Sequence, residues 1–424
     1  MDRAIFDGGK FAVKGGCKLQ GKVRINGAKN SAVAIVPATL LASGPCIIRN
    51  LPNISDVKMS FKILTQMGAK IEILDCHSAK IDSTSVVKAK VPFELARKMR
   101  ASYYYLGALL SRFGEAEVAM PGGCDFGVRP INLHLKGFGM LGADCKIENG
   151  IIKLSSNRLM GTKITFDVVS VGSTINIMLA AVKASGVTII ENAAKEPHIV
   201  DLANFLNSIG ANIIGAGTNV IKIKGQKEFS SSDYSIIPDQ IEAGTFMVMA
   251  AATGGSVLVE NVIPKHLESV TTKLESMGVQ IETYDNSLKI ERNGPILSTD
   301  VTSQPYPGFP TDMQPQVTAL LTFANGTSIV TEGIWDSRFK YVGELCRMGA
   351  TISVDGKVAV VKGIGKLTGA TVCAPDLRAG AALVIAALGA VGRTIIENAI
   401  LLERGYENFV DKVKRLGADI KRIE

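Results

Sequence analysis

The chain repeats itself. A Met, Leu or Ile followed by Gly-Ala or Gly-Val, then a β-like stretch, recurs at Gly68, Gly142, Gly210, Gly278, Gly349 and Gly417, at intervals of 68–74 residues. That period is too long for a solenoid unit, and its regularity marks one supersecondary module used six times. Each copy runs in the same order. A polar signature leads into an apolar run of helix length, then a Gly and a β-branched strand. A loop, a second helix, the Gly-Ala turn and further strands complete it. In the fifth copy Asp312-Met313-Gln314-Pro315 leads into Val317 to Ala324 and then Gly326-Thr327-Ser328-Ile329-Val330. In the sixth, Asp376-Leu377-Arg378 leads into Ala381 to Leu388 and then Gly392-Arg393-Thr394-Ile395-Ile396.

The runs after the signatures are apolar nearly all round, which predicts buried helices. The second helices, such as Phe409 to Leu416, place charged and apolar residues at three- and four-residue spacing and are expected outside. The Gly of each Gly-Ala turn fits a helix C-cap, where a left-handed backbone costs Gly least. Buried helices walled by sheets amount to an inside-out α/β barrel. Six modules divide into three per lobe: 29–237 as one lobe, and 1–28 with 238–424 as the other. The polar stretch from Glu228 to Ser235 supports that boundary, and two such lobes are expected to enclose a cleft.

A 424-residue chain that is 46% hydrophobic can bury large cores. Its net charge of +8 favours anionic partners. Basic residues are spread along the chain without runs, so a phosphorylated metabolite is favoured over nucleic acid or a membrane surface. The seven cysteines are odd in number and show no C-x-x-C spacing, and His is scarce, with four. Those counts predict a reducing cytoplasm and no built-in metal site; no cofactor is expected. The start of the chain lacks a signal-peptide core. Apolar stretches such as Ala381 to Val391 fall short of the roughly 18 residues a membrane span needs. Disorder is expected only in the tail through Gly9, and a monomer is expected.

The six signatures are Gly27-Ala28-Lys29-Asn30, Lys98-Met99-Arg100-Ala101-Ser102, Ser170-Val171-Gly172-Ser173-Thr174, Asp239-Gln240-Ile241-Glu242, Pro310-Thr311-Asp312-Met313 and Asp376-Leu377-Arg378. A buried helix leaves unpaired N–H groups and about half a positive charge at its start. Lys29, Arg100 and Arg378 at such starts make a site for phosphate and carboxylate. Any one of them alone reads equally well as a cap or salt bridge; their shared place in the module favours the site. A second outstanding segment is Met120-Pro121-Gly122-Gly123-Cys124-Asp125-Phe126-Gly127-Val128-Arg129-Pro130, whose glycines and prolines predict a mobile loop. A cysteine there, near an arginine and a helix N-terminus, fits a proton donor or nucleophile. The other cysteines read as small apolar residues.

Taken with Arg404-Gly405-Tyr406-Glu407, these motifs resemble the UDP-N-acetylglucosamine 1-carboxyvinyltransferase family over essentially the whole chain from Phe11. The resemblance implies the enolpyruvyl transferase fold. It also implies transfer of an enolpyruvyl group from phosphoenolpyruvate to the 3′-hydroxyl of UDP-N-acetylglucosamine through a tetrahedral ketal, as the first committed step of peptidoglycan synthesis. By position, Cys124 matches the loop cysteine that protonates the enol carbon and is alkylated by fosfomycin. Asp312 matches the carboxylate that takes the hydroxyl proton. Lys29, Arg100, Arg129, Arg378 and Arg404 match the cations around phosphoenolpyruvate, and Asn30 and Asp376 match orienting residues. Ser170, Val171 and Gly172 match the diphosphate contact, Ile334 lies beside the sugar, and Arg129, Pro130, Asn132 and Leu133 belong to the uracil end. Asn30, Arg100 and Asp312 also match contacts to the sugar nucleotide.

The chain departs from the family at Val168, where a lysine is usual, and at Asn132, where an aspartate is usual. Both lie toward the nucleotide end, which leaves open an acceptor other than UDP-N-acetylglucosamine. The related 5-enolpyruvylshikimate-3-phosphate synthases lack the Pro-Gly-Gly-Cys loop and the Ser-Val-Gly signature. A non-catalytic sugar-nucleotide sensor would not need Cys124, Asp312 and Arg404 together.

Overall fold

A computed structural model describes residues 9–120 and 131–423. The described residues form two compact units, one of 9–26 with 238–423 and the other of 27–120 with 131–237. Each has its own apolar core. At the centre of the 27–237 unit lie the helices Lys29–Ala38, Tyr104–Phe113 and Val171–Ala181. The other unit is centred on Gln240–Thr253, Gln314–Leu321 and Leu377–Gly389. These helices are buried on every side: Leu377–Gly389 is sealed continuously from Arg378 to Leu388. Burying a Leu, Ile or Val side chain contributes roughly 1.5–3 kcal/mol, so runs of Ala, Leu, Ile and Val make the cores.

Within each unit the three inner helices run parallel. Asp312 and Arg378, near the starts of two of them, are in contact, and Gly389 and Phe323, at their far ends, also meet. In the 27–237 unit the far ends converge on a cavity of about 400 Å³ lined by Leu40, Arg112 and Lys183. There Arg112 donates to the carbonyl oxygens of Leu40, Ser83, Thr84 and Val86 at 2.7–3.1 Å. A cation at this position offsets both the carbonyls and the negative end of the aligned helix dipoles.

Sheets form the outside. The strand after each inner helix pairs antiparallel on one edge and parallel on the other. Thr327–Glu332, for example, lies between Val358–Lys362 and Val301–Ser303. The order recurs in all six sheets formed by described residues. In the Glu115–Ala119 sheet a single parallel bridge, Lys90 to Glu117, takes the place of the fourth strand. Two of the parallel partners are exchanged. Gln20–Arg24, which precedes the Lys29–Ala38 helix in the chain, pairs with Ser256–Glu260. Asp233–Ser235, which precedes the Gln240–Thr253 helix, pairs with Cys46–Arg49. Each unit is thus completed by a strand that leads into the other unit's first inner helix.

The repeat glycines behave as their C-cap position predicts, with φ from 87° at Gly278 to 111° at Gly210. A second repeated device was not read from the sequence. Asn50, Asn192, Asn261 and Asn398, each just after the strand that follows an inner helix, also adopt positive φ, near 54–61°. Asn tolerates this conformation through local hydrogen bonding by its short side chain. One expectation needs correction: not every signature opens directly into an α-helix. Arg100–Tyr103 and Thr311–Met313 are 3-10 turns that tighten the chain before the α-helix proper.

One polar connection crosses the 27–237 core. Asn176 accepts from the Gly107 N–H at 3.0 Å, and its amide nitrogen lies 2.9 Å from His134 Nδ1. Because the Asn176 oxygen is occupied by a donor, its NH2 faces the ring, so Nδ1 is the acceptor and the proton sits on Nε2. Burial pushes His134 down to about 4 from its ordinary 6.5.

Two outcomes follow from this packing. On acidification the unfolded chain takes up the His134 proton first, so the stability held by the neutral ring is complete above pH 6.5 and lost toward pH 4. The loss reaches up to about 3 kcal/mol. His134→Gln, which can still accept from Asn176, should therefore lose less stability than the wild type between those pH values in urea melts; parallel losses would contradict a neutral buried ring. At Gly363 a Cβ would lie 1.8 Å from the Ala324 carbonyl oxygen, whereas at Gly343 it would meet nothing within 4 Å. Gly363→Ala should thus destabilise by about 2–4 kcal/mol and Gly343→Ala by less than about 0.5.

Candidate active site

In the 27–237 unit, Lys29 is the first residue of its helix, and the residue before it, Ala28, is extended and offers no side-chain cap. The Lys29 ammonium lies 3.1 Å from Asp56 Oδ2, with both side chains largely buried. Asp56 sits in the first turn of Ser55–Met67, where its charge also suits that helix's dipole. Asn30 follows on the same helix, half-buried. Arg100 opens its 3-10 turn, also half-buried, with the Tyr103 and Tyr104 hydroxyl groups within its field.

Ser170 caps Val171–Ala181: its Oγ accepts from the Ser173 N–H at 3.3 Å. Val171 and Gly172 form the first turn of that helix. The need for Gly at 172 is steric. A Cβ there would come within 3.0 Å of His134 Cε1, 3.1 Å of its Nε2 and 3.2 Å of the Tyr103 hydroxyl. Those two rings meet edge to face at 5.2 Å. His134 was not singled out in the sequence, because a lone His in an amphipathic helix carries no distinguishing pattern; its partner Asn176 lies 42 residues away.

Asn132 begins the helix Asn132–Met140 and is exposed, and Leu133 packs against the core. Val168 stands 61% exposed, and beside it Asp167 accepts from the Lys136 ammonium at 2.8 Å. Cys124, Arg129 and Pro130 lie outside the described residues, as does the rest of 121–130.

In the 238–423 unit, Asp376 caps Leu377–Gly389, accepting from the N–H groups of Arg378 and Ala379 at 2.8 and 3.1 Å. The Arg378 guanidinium grips Asp312: Nη2 is 3.0 Å and Nε 3.2 Å from Asp312 Oδ2. On its other side Arg378 lies over the Tyr406 ring at 5.4 Å. Burial pulls the Arg378 pKa down, but the Asp312 carboxylate, followed by Tyr406 and Asp239, outweighs it and leaves the group above its ordinary value. Asp312 also meets Arg338 Nη2 at 3.6 Å. Arg338 was absent from the sequence-based set, since its segment carries none of the repeated signatures.

Ile334 follows the Thr327–Glu332 strand, its N–H donating to Glu332 Oε1 at 2.8 Å. Arg404 ends the 3-10 stretch Ala399–Arg404, half-buried. The sequence-predicted residues thus fall into two groups. Asp312, Asp376 and Arg378 are brought together around the starts of neighbouring helices, as are Tyr406 and Arg378. Lys29, Asn30, Arg100, Ser170, Val171 and Gly172 occupy the starts of the three inner helices of the other unit.

Behind these groups the chain where it crosses between units is anchored by buried charge. The Asn26 backbone N–H donates to Glu242 at 2.9 Å, its side-chain amide to Glu407, and its Oδ1 accepts from Lys412 at 2.9 Å. Lys412 also donates to Glu242 at 2.6 Å. In the other unit Asp201 accepts from the Tyr234 hydroxyl at 2.5 Å and the Ile237 N–H at 3.3 Å.

Residues 13–413 match the family model described as EPSP synthase (3-phosphoshikimate 1-carboxyvinyltransferase). The chain is 55% identical to UDP-N-acetylglucosamine 1-carboxyvinyltransferase 3 of Caldanaerobacter subterraneus subsp. tengcongensis, covering 98% of this chain and 99% of that protein. It is 54% identical to the UDP-N-acetylglucosamine 1-carboxyvinyltransferase of Clostridium botulinum, covering 98% and 100%. Among solved structures it is similar to the enolpyruvyl transferase NikO from Streptomyces tendae, with a TM-score of 0.89 at 27% identity over 98% of this chain and 99% of that one. The EPSP synthase of Acinetobacter baumannii shares the fold, with a TM-score of 0.76 at 18% identity over 98% and 100%. The chain belongs to the UDP-N-acetylglucosamine 1-carboxyvinyltransferase family, within the wider EPSP synthase group, and has the enolpyruvyl transferase fold.

Proposed function

We propose that this chain transfers the enolpyruvyl group of phosphoenolpyruvate to the 3′-hydroxyl of UDP-N-acetylglucosamine with release of phosphate, opening peptidoglycan synthesis. Within the fold, the observation that carries the reading is Asp312, a one-third exposed carboxylate gripped by Arg378 beside a helix start. A base candidate and an anion ligand are thereby held within one contact. Full-length identity of 50–55% to enzymes named for this reaction supports it.

The step balances as follows. Cys124 gives a proton to the methylene carbon of phosphoenolpyruvate, the acceptor oxygen bonds to the adjacent carbon, and Asp312 takes the hydroxyl proton. The Cys124 thiolate takes back a proton from the new methyl group of the tetrahedral ketal, the carbon–oxygen bond to phosphate breaks, the alkene re-forms on the acceptor, and the proton held by Asp312 leaves with the phosphate. Lys29, Arg100, Arg129, Arg378 and Arg404 stabilise charge on phosphate and carboxylate; such preorganised donors act without reorganising at the moment of reaction. Asn30 and Asp376 orient these groups. Ser170, Val171 and Gly172 receive the diphosphate, Ile334 the sugar, and Arg129, Pro130, Asn132 and Leu133 the uracil. The lobes are 29–237 and 1–28 with 238–424, a boundary two residues from that of the compact units. The enzyme works as a cytoplasmic monomer without cofactor; no helix among the described residues is long and apolar enough to cross a membrane.

A second reading is favoured by Val168, an exposed apolar side chain where relatives of this kind usually carry a cation, and by Asn132 in place of a carboxylate. Both fit an acceptor that is a different uridine nucleotide. Phosphate release from phosphoenolpyruvate, measured with UDP-N-acetylglucosamine and a panel of other hydroxyl acceptors, separates the two. The expected result is a preference for UDP-N-acetylglucosamine of at least about a hundredfold in kcat/KM, well within the discrimination that hydrogen-bonded sites can reach. Faster turnover of another uridine nucleotide would install the second reading, and no release with any acceptor would sink both. In the same assay Cys124→Asp should retain turnover and resist fosfomycin, because a carboxylic acid still delivers a proton but is not alkylated as a thiolate is.

A further inference from the structure

Three cations line the cavity at the far ends of the inner helices in the 27–237 unit: Arg112, Lys183 and Lys227. Arg112 is spent on the backbone, its terminal N–H groups donating to the carbonyl oxygens of Leu40, Ser83, Thr84 and Val86. In the other unit Arg292 does similar work at the end of Gln240–Thr253, donating to the carbonyl oxygens of Ala251 and Gly294. A lysine beside a helix end also suits the negative end of the dipole, and Lys183 stands just past Val171–Ala181. Three observations set it apart from that structural role.

The first is register. Three residues before the glycine that leads to the outer strand, the six modules carry Leu41, Ser111, Lys183, Ala252, Phe323 and Gly389. A helix end of this fold therefore does not itself require a cation there. The second is the lack of an anionic partner. Among the described residues the Lys183 ammonium has no hydrogen-bond acceptor and no ion pair; it lies over the Phe229 ring, 5.6 Å from the ring centre. Glu228, a carboxylate in the same lining, pairs with neither lysine. The third is repulsion. Burial, and then the Arg112 charge, hold Lys183 below its ordinary pKa. Like charges gathered around one cavity cost free energy, and an anion placed between them recovers it.

We propose that this cavity is a second ligand site, which binds a small phosphate monoester. The Lys183 and Lys227 ammonium groups donate to the phosphate oxygens, and Arg112 adds charge without giving up its carbonyls. Leu40, Leu41 and the Phe229 ring offer an apolar wall to the organic part of the ligand. A phosphate monoester brings nearly two negative charges and three acceptor oxygens at neutral pH. A volume of about 400 Å³ lies within the roughly 300–1,000 Å³ of small-molecule pockets. The site is apart from the proposed chemistry, which resides at the helix starts. The 11 residues of Val171–Ala181 lie between Ser170 and Lys183, a separation of roughly 17 Å along the axis. It does not depend on the functional reading above.

Pyridoxal 5′-phosphate is the probe, because it carries a phosphate monoester and an aldehyde on one small ring. With its phosphate held by the cations, its aldehyde condenses with the unprotonated Lys183 amine and releases water. Borohydride then adds hydride to the imine carbon while water protonates the nitrogen, which fixes the label for peptide mapping. Lys183 should be labelled at least about tenfold faster than by pyridoxal, which lacks the phosphate. Inorganic phosphate should slow the labelling, whereas sodium chloride at equal ionic strength should not. Lys227→Gln, a change at an exposed side chain, should remove most of the preference for the phosphorylated aldehyde. UDP-N-acetylglucosamine, a diphosphate diester, should leave labelling of Lys183 unchanged. Equal rates with the two aldehydes would show an accessible amine and no anion site, and an unlabelled Lys183 would show a cavity closed to ligands. Protection by UDP-N-acetylglucosamine would make the labelled amine part of the acceptor site. Each of these three results overturns the proposal, and the two-aldehyde comparison needs no variant to fold.

Discussion

Three parallel helices buried side by side create one problem that each unit must solve at both ends. Every helix start leaves backbone N–H groups without helical partners and every end leaves carbonyls, and parallel packing adds the dipoles instead of cancelling them. Out of water, each orphan group costs about 1–3 kcal/mol if left unmet. Beside the ends of the 27–237 helices Arg112 takes up the Leu40 carbonyl, just past Lys29–Ala38, together with the loop carbonyls of Ser83, Thr84 and Val86. At the starts, Ser170, Asp239 and Asp376 act as caps, each accepting from the turn that follows. Lys29–Ala38, Tyr104–Phe113 and Gln314–Leu321 open without a side-chain cap, and these are the helices adjoining Lys29, Arg100 and Asp312. The arrangement that makes a helix start costly to bury is the same one that makes it attractive to phosphate and carboxylate. The inside-out layout thus dictates where anion chemistry can reside before any particular side chain is considered.

That link explains what the sequence made legible. The repeat period, the apolar runs and the repeat glycines are local patterns, and each reflects a backbone requirement that few residues satisfy. Lys29, Arg100, Asp376 and Arg378 could be picked out because they share one position in the module, so their meaning follows from register. What escaped were side chains defined by partners distant in the chain. Asp56 is known only by the Lys29 ammonium beside it, and Arg338 only by Asp312 and Thr311. His134 is known only by Asn176 and by the space it denies to a side chain at Gly172. The pairings of Gln20–Arg24 with Ser256–Glu260 and of Asp233–Ser235 with Cys46–Arg49 escaped for a related reason: both segments read as ordinary short strands, and nothing local names their partners. Repetition exposes what every module needs, and hides what a single module does alone.

The buried charges mark where single modules depart from the repeat. Glu242, 2% exposed, is raised above its ordinary pKa chiefly by burial, with Lys412 and the Asn26 N–H opposing. Asp201, 1% exposed, is raised by burial against the Tyr234 hydroxyl and the Ile237 N–H. Buried ionic groups are weak contributors to stability, because desolvation offsets much of the attraction, and apolar residues of like volume often serve as well. Stability alone therefore gives little reason for an apolar barrel to contain them. Their placement supplies another: Glu242 and Lys412 fix Asn26, Asp201 fixes Ile237, and Asp56 and Asp312 hold cations at or beside helix starts. Each carboxylate sets the position of one backbone segment or one cation to within a hydrogen bond. The apolar repeat provides a frame that tolerates many sequences, and these few polar contacts confine the reactive groups to one geometry within it.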